Sequence, residues 1–256
     1  NATRSGSEIV HSFTLIPSNA LAQNWETVSG YFDLFKGILN SLIVSVPATL
    51  LSSYFSAMAA YGLVMYKFKG NKFISGVIII FMMIPGQLSM IGFYDLITKM
   101  HMIDTYWPLI LPAIAAPGTV FFLRQYCEGA LQPALIEAAR MDGAKEIYIF
   151  HKIILPLMSP GIATMAIGAF IGSWNSYLIP LILLNTPEKF TLPVMIASLN
   201  ASTDITANQG AIYLAVAISV IPILIVFAFC SKYIIGSISA GGVKAVSYTH
   251  LTLPTT

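Results

Sequence analysis

Charge is scarce in this chain. Asp, Glu, Lys and Arg make up 9% of its 256 residues, against about 25% in ordinary soluble domains. A soluble protein of this length could not cover its surface without large apolar patches. The charges present nearly cancel, 13 basic against 11 acidic, so no strong field draws nucleic acid or an acidic substrate. Cysteine is sparse as well: Cys127 and Cys230 stand far apart and offer neither a disulfide framework nor a metal spacing. His11, His101, His151 and His250 fall at no metal-ligand spacing, so no metal site is expected. No glycine-rich phosphate loop ending in Gly-Lys-Ser or Gly-Lys-Thr occurs, which excludes ATP binding of that type within the chain. No Ser/His/Asp or Cys/His set can be assembled on one side of a membrane, so no enzyme activity is expected. Disorder, collagen, a nucleic-acid binder and a secreted disulfide-rich mini-protein are excluded together.

Apolar residues are what the chain has in excess: 56% are hydrophobic and the mean hydropathy is +0.77. A helix crossing a hydrocarbon core of about 30 Å needs about 20 mostly apolar residues. Five stretches meet that need, at 38–65, 73–93, 106–123, 161–184 and 211–229. They lack the period-2 alternation of barrel strands, and their cores carry no charge. The expected fold is all-α, a polytopic transmembrane helical bundle. Nine basic residues fall between or after the spans on one side, from Lys67 to Lys244, and four on the other: Arg4, Lys36, Lys99 and Lys189. The richer side is expected in the cytoplasm. The segment 1–37 and the loop 185–210 then lie outside, and the stretch 19–35, with Trp25, Tyr31, Phe32 and Phe35, reads as an interfacial helix. An odd span count with an external N-terminus predicts a sixth span ahead of these five. At the other end, the polar, β-leaning run 246–256 resembles a translated sequencing adapter and is set apart from the span-bearing region 38–244.

The cytoplasmic segment 127–159 is the most informative. Pro133 can open a helix, on which Leu135, Ala138, Ala139 and Asp142 step along one face. Gly143 interrupts it, and Ile147, Phe150, Ile153 and Ile154 mark a second amphipathic turn set. Leu155-Pro156 and Pro160 are expected to end that set before the next span, giving a helix–turn–helix at the membrane surface with Glu137, Arg140, Asp142, Lys145 and Glu146 as a wet, mixed-charge rim. On residues alone this could be an ordinary interfacial helix.

The spacing Glu137-Ala138-Ala139, Gly143, Ile153 and Leu155-Pro156 resembles the EAA loop of ATP-binding-cassette importer permeases. Asp142-Gly143-Ala144 and Phe150 are similar to the carbohydrate-importer subgroup, and Pro85-Gly86-Gln87, Asp104-Thr-Tyr-Trp-Pro108, Phe121 to Tyr126, Gly172-Ser-Trp-Asn175 and Gly241 to Lys244 sit where that family has similar segments. The resemblance implies that the loop is a coupling helix seated in a separate ATPase subunit, whose closure rocks the spans between inward- and outward-facing states. Glu137 and Arg140 would be polar contacts to the ATPase. Ala138, Ala139 and Gly143 would give the close fit, with Asp142, Phe150, Leu155 and Pro156 completing the motif. It further implies a second permease as heterodimer partner, two ATPase subunits holding ATP and Mg, an extracellular solute-binding protein, a sugar as cargo, and a bacterial cytoplasmic membrane. The chain itself would hold no cofactor.

Gln87, Trp174, Asn175 and Tyr177 are the polar and aromatic outliers of the spans. Such groups serve either as helix–helix contacts, contributing about 0.6–2 kcal/mol, or as a path for a sugar. The loop 185–210, with Asn200, Ser202, Thr203 and Asp204, either reaches the solute-binding protein or merely connects. Two other readings stay open: an importer of the same type for polyamine or phosphate, and an ion-driven secondary transporter. The latter would want an ionisable residue within a span.

Overall fold

The computed structural model describes residues 1–11, 16–201 and 205–246. Among these there is no strand. Thirteen helices follow in chain order: α1 (Gly6–His11), α2 (Leu21–Tyr31), α3 (Leu34–Met65), α4 (Asn71–Met83), α5 (Met90–Lys99), α6 (Trp107–Ile110), α7 (Pro117–Ala130), α8 (Pro133–Met141), α9 (Glu146–Ile149), α10 (Leu155–Trp174), α11 (Leu178–Leu183), α12 (Leu192–Asn200) and α13 (Ile205–Val246). Four continuous helical stretches are long and apolar enough to cross a membrane: Leu34–Met65, Trp107–Ala130, Glu146–Trp174 and Gln209–Tyr233. A fifth is the pair Asn71–Met83 and Gly86–Lys99, bent by 90°. The all-α transmembrane architecture expected from composition is therefore observed. The set-apart tail, past Val246, lies outside the described residues, as do Ser202, Thr203 and Asp204.

Two spans differ from their expected form. The second, expected unbroken over 73–93, stops at Met83. Pro85 has no N–H to donate and drives Ile84 out of the helical region, to φ −79 and ψ 120. A 3₁₀ turn at Gly86–Ser89 then starts the chain in a new direction. The fourth, expected over 161–184, begins earlier, at Glu146, and ends earlier, at Trp174. Leu155-Pro156 and Pro160 do not end the preceding helix. Phe150–Ile154 is a π turn, in which Leu155 N–H donates to Phe150 O. The wider turn moves the carbonyl that the Pro156 ring would strike in a regular α-helix. At the far end Asn175 N–H and Ser176 N–H close onto Ile171 and Ser173 carbonyls, and α11 starts afresh with Pro180 inside its first turn.

Within one compact unit, formed by Asn1–Leu51, Pro85–Ala113 and Ala169–Ile225, polar side chains fasten the connecting segments. Asp33 Oδ1 accepts from Lys36 N–H at 3.1 Å, capping the start of α3. Buried Asn24 of α2 donates to the Ala2 and Arg4 carbonyls, and Gly210 leaves no room there for a Cβ. Asn40 Nδ2 donates to the Glu188 and Phe190 carbonyls at 2.9 Å each, and Leu192 N–H donates to Ser41 Oγ at 2.8 Å. The stretch 19–35 holds the helix α2, with Trp25 edge-on to Phe35 at 6.1 Å.

The other unit, formed by Ser52–Ile84, Ile114–Gly168 and Val226–Thr256, has its own apolar core. Ala57, Ala60 and Tyr61 of α3 pack with Leu123 and Cys127 of α7, Ile136 of α8, and Ile149, Phe150, Ile154 and Met158 of the Glu146–Trp174 helix.

Candidate functional site

The loop between α7 and the Glu146–Trp174 helix is built by local rules. Pro133 occupies the first turn of α8, where its missing N–H costs nothing. α8 ends in a Schellman closure: Gly143 N–H donates to Arg140 O and Ala144 N–H to Ala139 O, both at 3.0 Å. Gly143 takes φ +80 to make this turn, a conformation that costs an L-residue about 1–2 kcal/mol. A Cβ there would meet nothing within 4 Å. Inside this chain the glycine is thus required by its backbone angle, not by crowding.

One face of the loop is anchored. Ile136 is buried, Ala139 and Ala144 pack beside it, and Phe150 lies among the rings of Tyr54 and Tyr61, at 5.9 and 5.7 Å. Phe150 is therefore a core residue rather than a surface one. The apolar register of the second turn set is Ile149, Phe150 and Ile154; Ile147, expected to face inward, is 61% exposed.

The other face is open. Glu137, Ala138, Arg140, Asp142, Lys145 and Pro156 are exposed. Among them stand Met141, 85% exposed, with Ile147, Tyr148 and Leu135. An apolar patch rimmed by mixed charge marks a surface for a partner. Met141, Ile147 and Tyr148 were not singled out from sequence as an outward patch. Of the three, only Ile147 was read from the sequence, as an apolar position of the second turn set.

Arg140 has a partner within the chain. Its Nε donates to Glu146 Oε1 at 2.6 Å, and its guanidinium carbon lies 5.4 Å from the Tyr66 ring centroid. Tyr66 and Tyr61 hydroxyls donate to Glu146 Oε2. Nearby, His151 Nδ1 bonds Ile147 O at 2.7 Å and Nε2 bonds the Tyr54 hydroxyl at 3.1 Å. With the proton on Nδ1, Nε2 accepts from Tyr54.

The four outliers of the spans separate into two places. Gln87 is exposed in the 3₁₀ turn of the bent pair. Trp174, Asn175 and Tyr177 stand together at the break before α11. Trp174 is only 1% exposed, stacked on Phe170 at 5.6 Å, and its Nε1 donates to Ser219 O at 3.1 Å. In this conformation it is a helix–helix contact. Asn175 and Tyr177 are exposed. An open cleft of about 710 Å³ lies elsewhere in the same unit, lined by Ile43, Pro47, Leu50, Leu51, residues 104–107, Ile110 and Lys189. None of the four outliers lines it.

Asp104, read from the sequence only as the first residue of a family-like segment, turns out to be a fastening point. It sits at φ 60 and its carboxylate accepts from the Asn185 and Thr186 amides, the Thr186 hydroxyl and Lys189 Nζ, all within 3.0 Å. The Lys189 ammonium, then the Thr186 and Asn185 donors, hold its carboxyl well below the usual carboxylate range. Among the described residues no group of three or more His, Cys, Asp or Glu is placed to hold a metal ion.

The family described as binding-protein-dependent transport system inner membrane component matches residues 52–239, which include the whole loop. The chain belongs to this family. It is an inner membrane component with several membrane-spanning helices, a permease and not an enzyme. Among its curated relatives, the arabinooligosaccharides transport system permease protein AraQ of Halalkalibacterium halodurans is 42% identical over 205 residues, covering 80% of this chain and 72% of that protein. The diacetylchitobiose uptake system permease protein NgcG of Streptomyces coelicolor is 31% identical over 240 residues, covering 93% and 79%. A solved bacterial ABC transporter involved in import of the acidic polysaccharide alginate shares the fold, with TM-score 0.77 and 24% identity over 91% of this chain and 86% of that one.

Proposed function

We propose that this permease is the membrane-spanning subunit of an ATP-dependent carbohydrate importer, and that the loop 133–154 couples it to a separate ATPase. The observation that carries the coupling is the two-faced loop. Its inner side is anchored in a core, while its outer side presents Met141, Ile147 and Tyr148 within a charged rim. A surface so held can take a load without folding away. Relatives named for arabinooligosaccharides and diacetylchitobiose support a sugar as cargo.

In this reading Glu137, Ala138, Asp142 and Gly143 face the ATPase. Phe150 and Leu155 hold the loop from behind, and Pro156 fixes the wide turn. Arg140 serves inside the loop rather than across the interface. ATP and Mg belong to two copies of the ATPase. A second permease and an extracellular sugar-binding protein complete the assembly. Tyr177, Asn175 and Gln87 remain on offer to the substrate through their exposure, and Trp174 packs inside at the break that carries Asn175 and Tyr177.

The test is reconstitution of the intact transporter, purified through this subunit, into proteoliposomes. ATP hydrolysis stimulated by one sugar-loaded binding protein is the expected result. Sugar uptake by this chain with no ATPase present overturns the reading.

A further inference from the structure

Glu146 holds three elements at once. Its carboxylate receives Arg140 Nε at 2.6 Å, the Tyr66 hydroxyl, and the Tyr61 hydroxyl at 3.4 Å. Tyr61 lies in the last turns of α3 and Tyr66 directly follows that helix. Arg140 lies in the last turn of α8, and Glu146 opens the Glu146–Trp174 helix. The Arg140 guanidinium closes the circle by lying over the Tyr66 ring.

Stability alone is a poor reason for this arrangement. The Arg140 and Glu146 side chains are 37% and 49% exposed, and exposed ion pairs add little to folding. Geometry is a better one. The apolar core joins α3 to the Glu146–Trp174 helix directly, but meets α8 at Ile136 and Ala139. The C-terminal end of α8 is followed by the left-handed turn at Gly143. Without a second fastening there, a push on α8 would be taken up by rotation about that turn. The Arg140–Glu146–Tyr66 contacts supply the fastening, with charge-assisted bonds whose direction is fixed.

We infer that Glu146 is a positioning residue, the tie that passes displacement of α8 to α3 and to the Glu146–Trp174 helix together. The inference rests on the reading of this loop as the ATPase contact. Its consequence is that loss of the tie separates hydrolysis from transport.

The experiment uses the full transporter in proteoliposomes, with sugar uptake and ATP hydrolysis measured in the same vesicles. Glu146→Gln keeps the shape and removes the charge. Uptake falls about tenfold, the scale of one charge-assisted hydrogen bond, while binding-protein-stimulated hydrolysis falls by less than about threefold, so more ATP is spent per sugar. Tyr66→Phe keeps the ring beneath Arg140 and removes one donor; the ratio rises in the same direction by less. A merely structural role would lower assembled yield and both rates in step. An unchanged ratio in both variants overturns the tie, and Tyr66→Phe decides the matter if Glu146→Gln fails to assemble. Met141→Arg, on the open face, separates the two readings. If it leaves ATPase assembly intact, the coupling role of the loop falls; if it abolishes assembly while the Glu146→Gln ratio is unchanged, only the tie falls.

Discussion

Gly143 does two jobs that point in different directions for a substitution. Its φ of +80 favours Gly, then Asn, over Ala, because a short polar side chain tolerates the left-handed region better. Its proposed seat in an ATPase favours the smallest side chain, so bulk counts there and Ala should be tolerated better than Asn. The two roles predict two orders. Thermal stability of the isolated permease should run Gly, Asn, Ala, with Ala about 1 kcal/mol below Gly. ATPase assembly, measured as subunit retained on purification, should run Gly, Ala, Asn, Asp. The same order in both measurements would mean that the glycine serves only the turn.

At this scale the sequence was readable where a residue acts on its own neighbours. Pro133 opening α8 and Gly143 closing it follow from backbone rules spanning a few residues. Glu146 was legible only as a charge on a rim, since its partners Tyr61 and Tyr66 lie 85 and 80 residues away. Trp174 could be read as glue or as substrate path until the Ser219 carbonyl, 45 residues on, was found to take its N–H.

Elements were harder to read at their ends than in their middles. All five apolar stretches are helical, because a backbone in hydrocarbon must satisfy its own polar groups. Hydropathy carries no information about direction, so it ran straight across the 90° bend at Pro85-Gly86. Proline has the opposite ambiguity: Pro85 breaks a span, whereas Pro156 follows a π turn and Pro160 lies further along, both inside one continuous helix. Asp104 shows how elements with unrelated sequences are joined. It fastens the 183–190 segment to the end of α5, and its carboxyl is depressed by Lys189 and the Thr186 and Asn185 donors. A depressed folded value means that the carboxylate's contribution is fully present above its unfolded value of about 3.9 and is lost as pH falls below it. Asp104→Asn keeps a residue suited to φ 60 while removing the charge. Its thermal stability should lie below wild type by a constant margin between pH 7 and 5, and the margin should shrink below about pH 4. A margin that stays constant down to pH 3 would show that the charge is not what fastens this segment.

For the whole molecule, the decisive pattern is how charge divides. The unit holding the α8 loop contains nine basic and four acidic residues, while the other contains four basic and seven acidic. The two units are set by packing and not by charge, yet they show the same nine-and-four partition of Lys and Arg that the order of spans gives along the sequence. The positive-inside rule then places the loop in the cytoplasm, where an ATPase could reach it. This is testable by thiol labelling in intact cells, after Cys127 and Cys230 are replaced by Ala. Cysteine introduced at Glu188 should react with a membrane-impermeant maleimide added outside. Cysteine introduced at Lys69 or Met141 should react only once the membrane is opened. Lys69, Met141 and Glu188 are exposed in the structure, and Lys69 lies outside the proposed ATPase contact, so burial would not explain a failure of Lys69→Cys to react. Labelling of Met141→Cys from outside, with Glu188→Cys silent, would put the loop on the face of the membrane that has no ATP, and the coupling role would fall with it.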